Sequence, residues 1–149
     1  MTISSRFAVA VHILALLGRS GGEPVTSERI AESASTNPAV IRRILCMLAR
    51  AGLTTSRLGA GGGSLLARPA SEITLLDVYR AVECGELFSM HHEPPAQWCT
   101  VGCHIQAALA ETTGAAQRAL EAVLAGRTVA QVLEGVEDLS AREATSSEA

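Results

Sequence analysis

The stretch Ser35-Thr36-Asn37-Pro38 constrains this chain more than any other. Asparagine is a favoured N-cap. Proline at the first helical position loses no needed donor and has its φ preset. A helix therefore starts here, runs to about Arg50 and stops at Gly52, a residue suited to the left-handed conformation that closes helices. A shorter helix precedes it: Thr26 or Ser27 can cap a segment through Ser33, with Ile30 and Ala34 facing inward. Two helices joined by a three- or four-residue turn make a helix-turn-helix candidate. Next comes a strand-like alternation from Leu53 to Leu58, the run Gly59-Ala60-Gly61-Gly62-Gly63, and a return from Ser64 to Arg68 that Pro69 ends. That is a β-hairpin with a glycine-rich tip. A helix-turn-helix followed at once by such a hairpin reads as a winged helix.

The flanking segments are helical. Over residues 5–18, Phe7, Ala10, Val11, Leu14 and Leu17 share one face, and Val9, Ile13 and Leu16 make the other face apolar too. A helix apolar on both sides needs cover on both sides, and a second subunit could supply the second cover. Thr74 and Asp77 match a loose capping box, opening a helix with Leu75, Val78, Tyr79 and Val82 on one face. Residues 85–98 hold Gly85, His91, His92, Pro94 and Pro95 and read as a loop. A long amphipathic helix follows, roughly 101–125, with a stripe that includes Ile105, Leu109, Ala116, Leu120 and Val123. Its length of about 36 Å matches the width of a small domain, so it should pack on something beyond its own domain. Thr128 can cap a last short helix through Leu133, and the Ser-, Ala- and Glu-rich residues from about 140 read as disordered. The expected organisation is a DNA-binding domain over 1–83, a connecting loop over 84–98, dimerisation helices over 99–139 and a tail over 140–149. The fold class is mainly α with a small β-hairpin wing: a winged helix-turn-helix plus a long dimerisation helix.

Composition adds exclusions. At 149 residues the chain is about one domain, and 48% hydrophobic residues argue against disorder of its bulk. The longest strongly apolar stretch, Phe7 to Gly18, is shorter than the roughly 18 to 20 residues of a membrane span. No signal-peptide pattern is visible, and four Cys in such a chain point to a reducing cytoplasm rather than to structural disulfides. The net charge of −3 disfavours nucleic acid only until it is divided. Residues 1–70 carry eight Arg against three Glu, a formal +5; residues 71–149 carry four Arg against twelve acids, a formal −8. Every basic residue is Arg, and the basic half is the half with the helix-turn-helix and the hairpin.

Placed at 100° steps, Ile41, Ile44, Leu45 and Leu48 form the core face of the helix after Asn37. Ala39, Arg43, Cys46 and Arg50 point the opposite way, with Arg42 on the flank. Small and basic residues near an exposed helix N-terminus suit a major-groove recognition helix, where Arg can read guanine bidentately. A solvated helix face is the plain alternative, and the hairpin tips the balance. Arg57 and Arg68 flank its tip, matching the negative potential of a narrow minor groove, and its glycines let backbone approach phosphates. The expected DNA contacts are Thr36, Asn37, Ala39, Val40, Arg42, Arg43, Arg57, Gly61, Gly62 and Gly63. The glycines are not a phosphate loop, which needs a Lys, nor a dinucleotide fingerprint, which needs a helix directly after them. An enzyme is the weakest reading, for lack of a nucleophile–base or paired-His motif. A dimeric protein-interaction module without DNA binding is the competing one.

Several motifs in order carry a resemblance. The run from Ser5 to Leu14 is similar to the first helix of the Rrf-two family of winged-helix transcription regulators, the family of IscR, NsrR and CymR. Ile30-Ala31-Glu32-Ser33, Asn37 to Ile44, Ala51-Gly52-Leu53, Gly59 to Gly63, Leu66 to Pro69 and Ile73 to Val82 resemble that family as well. The resemblance spans roughly residues 3–135. The Asn-Pro start, the paired Arg and Cys99-Thr100-Val101-Gly102 look closest to its YwnA-like branch. It implies a homodimer whose long helix crosses onto the partner's N-terminal domain, bound to a pseudo-palindromic operator in double-stranded DNA, with repression the expected outcome. Ser64 departs from the aromatic residue that many members carry after the glycines.

Many members also hold an iron–sulfur cluster on three Cys between the fourth helix and the long helix. Here Cys84, Cys99 and Cys103 are separated by fourteen and then three residues, wider and then tighter than the family pattern. His12, His91, His92 or His104 would have to serve as any fourth ligand. No cofactor is therefore expected, and zinc on Cys99, Cys103 and His104 is weaker still. Among sensing chemistries a thiol switch ranks first, because a Cys at a helix N-terminus is the more reactive kind. The plainest reading ranks above all of these: Cys as small buried apolar residues, Cys46 among them as a space-filler. His12 should be buried and hydrogen-bonded, and His91 and His92 solvated.

Overall fold

The computed structural model describes residues 4–83 and 85–147. Helix α1 (Arg6–Arg19) buries Ala10, Ile13, Leu14 and Leu17. Helix α2 (Ser27–Ser33) starts at Thr26, whose hydroxyl accepts the Arg29 N–H at 3.3 Å. The turn to α3 (Pro38–Arg50) passes through Ser35 at φ 48°, a left-handed conformation that a side chain with a Cβ disfavours. The Thr36 N–H donates to the Ala31 carbonyl at 3.0 Å and holds the turn. Asn37 Oδ1 then accepts the Ala39 N–H at 2.8 Å, which makes it the expected N-cap. Ile41, Ile44 and Leu48 are buried and Leu45 is half-buried, as the wheel requires. Gly52, at φ 72°, closes the helix and turns the chain into the hairpin.

Strands β1 (Thr54–Arg57) and β2 (Gly63–Leu66) pair antiparallel, with Thr54 opposite Leu66 and Arg57 opposite Gly63. Val25 adds a bridge on the other side of β2, exchanging N–H···O bonds of 3.0 and 2.8 Å with Ser64. This crowding explains two of the glycines. A Cβ on Gly63 would stand 2.6 Å from the Val25 carbonyl oxygen, and one on Gly62 would overlap the Arg57 carbonyl oxygen. Both are therefore needed to build the wing itself, in addition to the role at DNA expected from the sequence. Ser64 is buried, its backbone N–H and carbonyl both bond Val25 and it stands opposite Ser56, so the departure from an aromatic leaves the hairpin intact.

After a 3-10 turn (Ala70–Glu72), helix α4 (Leu75–Val82) opens on the reciprocal Thr74–Asp77 capping box. Helices α5 (Thr100–Ala125) and α6 (Val129–Ser147) follow. Their junction is tied to the start of α4: the Leu75 N–H donates to the Arg127 carbonyl at 2.8 Å and the Val129 N–H to the Ile73 carbonyl at 2.9 Å. Thr128 and Gln131 cap α6 reciprocally.

Four expectations change. α6 has 19 residues and stays helical to Ser147, well into the segment read as a disordered tail, because no Gly or Pro interrupts residues 140–147. The second cover on α1 comes at least in part from α6 of the same chain. His12 is hydrogen-bonded as expected, with Nε2 2.9 Å from Ser33 Oγ, but it is exposed. Cys46 is exposed rather than a space-filler, because α3 turns it away from Ile44 and Leu48.

Candidate nucleic-acid interface

Helix α3 presents Ala39, Val40, Arg42, Arg43, Cys46 and Arg50 as exposed side chains, with exposed Asn37 at its start and half-buried Thr36 before it. The wing presents Arg57 and Gly61 as exposed residues, and Gly62 and Gly63 as half-buried ones. An open cleft of about 490 Å³ separates α3 from the wing. Arg42, Cys46, Arg57 and Gly63 line it, whereas Arg43 and Ala39 stand on the exposed face of α3 outside it. Asn37 spends its side-chain oxygen on the cap, so its first role is to fix where α3 begins. Arg68 does not stand at the tip: it follows β2 and pairs with Asp77 of α4 at 3.2 Å, because the tip lies at the other end of the strand.

Three residues of this region escaped the sequence pattern. Glu28 and Ser27, at the start of α2, reach the recognition helix. Arg42 Nε donates to Ser27 Oγ at 3.2 Å and its Nη2 donates to Glu28 Oε1. The Glu28 carboxyl is held below its ordinary pKa first by its own backbone N–H and then by Arg42, so it stays ionised. Fourteen residues separate the partners, and only the packing of α2 on α3 joins them. Leu58, beside Arg57, is 91% exposed, which a strand alternation read from sequence does not reveal.

The described cysteines are not buried. Cys99 occupies the N-cap position of α5 and is half-buried. Cys103, one turn on, is exposed and donates its S–H to the Gln97 carbonyl. His91, His92 and His104 are exposed. Cys84 lies outside the described residues. Among the described residues no three His, Cys, Asp or Glu side chains come together as a metal site. The candidate cluster set of Cys84, Cys99 and Cys103 includes a residue outside those described. Among the described residues no helix is long and apolar enough to cross a membrane.

The sequence model of the Rrf2 (Rrf-two) family, described as iron-dependent transcriptional regulators, matches residues 3–135. YwnA of Bacillus subtilis (strain 168), a candidate HTH-type transcriptional regulator, is 47% identical over 131 residues, which cover 88% of this chain and 96% of that protein. A solved structure of a candidate DNA-binding protein is 42% identical, with a TM-score of 0.71 over 87% of this chain and 99% of its own. IscR of T. potens, 24% identical, shares the fold with a TM-score of 0.68 over 93% of this chain and 90% of its own. The match along nearly the whole described chain, together with the recognition helix and the wing, shows that the chain belongs to the Rrf2 family of winged-helix transcriptional regulators.

Proposed function

We propose that the chain is a cytoplasmic homodimer that binds a pseudo-palindromic operator in double-stranded DNA, acts there as a repressor, and works by binding rather than by catalysis. The observation that carries this reading is the exposure of Arg42 on α3 and Arg57 on the wing across one open cleft, with Arg43 exposed on the outer face of the same helix. α3 enters the major groove with Ala39, Val40 and Arg43 against base edges, while Thr36 and the α3 N-terminus approach a phosphate. Arg57 and Gly61 to Gly63 take the wing to the adjacent minor groove and backbone. The dimer rests on α5, whose 26 residues include none that is buried. Val101 and Val123 are 66% and 73% exposed, an apolar stripe that a second copy would cover.

A mobility-shift titration against duplexes enriched by the wild-type protein from a random pool tests the reading. Arg43→Ala should weaken binding to the enriched duplex by at least about fivefold, the value of one bidentate base contact. Undiminished binding removes Arg43 from the interface. The affinity of the wild type should also fall steeply with salt, and a flat response counts against the helix and wing assignment.

The sensing chemistry that fits best is a thiol switch. Cys99 and Cys103 sit one turn apart at the start of α5, with the Cys103 N–H donating to the Cys99 carbonyl at 2.9 Å. Mild oxidant should change DNA affinity in the wild type and leave the Cys99→Ser, Cys103→Ser double variant unaffected. An equal response in that variant would rule these thiols out.

A further inference from the structure

Arg42 meets DNA already engaged. Its Nε donates to Ser27 Oγ at 3.2 Å and its Nη2 pairs with Glu28, so the side edge of the guanidinium is occupied by the start of α2. Among the described residues no hydrogen bond uses Nη1. The end fork of Nη1 and the second Nη2 hydrogen is left facing out of the pair. Both side chains are more than half exposed, and both line the cleft between α3 and the wing.

The two targets that DNA offers treat such an arginine differently. A phosphate carries a full negative charge. To take Arg42 it must either displace Glu28 or sit beside a carboxylate, and like charges repel. A guanine offers the neutral acceptors O6 and N7, which an end fork can engage while the side edge stays paired. Glu28 also gives the cleft a negative charge of its own, one of only three acids in residues 1–70.

We infer that Glu28 is a positioning residue for DNA specificity: with Ser27 it holds Arg42 along α2, withholds it from phosphates and aims its open fork at a base edge. The inference rests on the proposed DNA contact of α3. Arg42 then adds to discrimination between sequences while adding little to sequence-independent affinity. The ionised state that this needs is favoured at Glu28, whose own backbone N–H and Arg42 both stabilise the carboxylate.

The test measures fluorescence-anisotropy titrations, over a range of salt, on two probes: a random-sequence duplex and a duplex enriched from a random pool by the wild-type protein. Glu28→Gln keeps the shape of the side chain and removes its charge. It should tighten binding to the random duplex and steepen the slope of log affinity against log salt by about 0.9, the value of one added phosphate contact. The ratio of enriched to random affinity should fall by about fivefold or more. In an Arg42→Ala background the same substitution should change neither slope nor ratio. Ser27→Ala, which removes only the Nε partner, should move both quantities in the same direction by less. The inference is overturned if Glu28→Gln leaves slope and ratio at their wild-type values, or if its effect persists in full without Arg42, which would make it a simple change of net charge. If instead the wild type binds neither probe with salt-dependent affinity, it is the DNA-contact reading itself that fails.

Discussion

Asn37 carries two expected roles, N-cap and DNA contact, and its geometry ranks them. Its Oδ1 is committed to the Ala39 N–H, so Asn37→Ala should cost about 1 kcal/mol in urea denaturation, whereas Asn37→Ser, another good cap, should cost little. Equal losses for the two variants would mean that the cap is not what stabilises α3. Ser35 makes the opposite case. At φ 48° it holds a conformation that glycine adopts without strain, so Ser35→Gly should raise stability by up to about 1 kcal/mol, and a loss would show that its side chain matters more than its backbone. The cap was legible, because Asn-Pro has a local mechanism. The strained Ser35 was not, because a serine gives no sign that the helix-closing bond from the Thr36 N–H to the Ala31 carbonyl will hold it left-handed. Glu28 was invisible for the same reason: nothing in the spacing of residues 28 and 42 says that α2 delivers one to the other.

At the scale of elements, periodicity located the helices, and capping residues set their starts. Thr74 and Asp77 show how far such a motif reaches. Partial burial alone would raise the Asp77 pKa; hydrogen bonds from the Thr74 N–H and hydroxyl, with Arg68 and Arg80 nearby, outweigh it and hold it below the ordinary value. A lowered folded pKa means that the unfolded chain binds the proton more readily. The stabilisation is therefore complete above the ordinary Asp pKa of about 3.9 and is lost as pH falls through the lower folded value. Asp77→Asn should lower stability at pH 7 and flatten the acid limb of a stability–pH profile; an acid limb identical to the wild type would place the effect elsewhere. The wing shows the limit of this kind of reading. Its glycines announced a turn, but the steric need at Gly62 and Gly63 arises from Val25 and Arg57, one of them remote in sequence. The extent of α6 was missed because a Ser-, Ala- and Glu-rich segment looks the same whether helical or unstructured when it packs on little.

For the whole molecule, the division of charge and the bare stripe of α5 point the same way. The basic half carries the recognition helix and the wing, and the acidic half carries α5 and α6. A helix about 39 Å long with exposed Val101, Leu109 and Val123 offers the stripe that the second copy of the proposed dimer would cover. Light scattering at pH 7 with reductant should give twice the 15.5 kDa of one chain, and Leu109→Glu with Val123→Glu should give the monomer mass and weaken DNA binding. A monomeric wild type would remove the crossing-helix arrangement. The most direct test of a two-fold winged-helix regulator is a hydroxyl-radical footprint of the wild-type protein on its enriched duplex. Two symmetric protected patches, centred about 10 to 10.5 base pairs or a multiple of that apart, are expected from paired recognition helices. A single asymmetric patch, or no protection at all, would contradict the account.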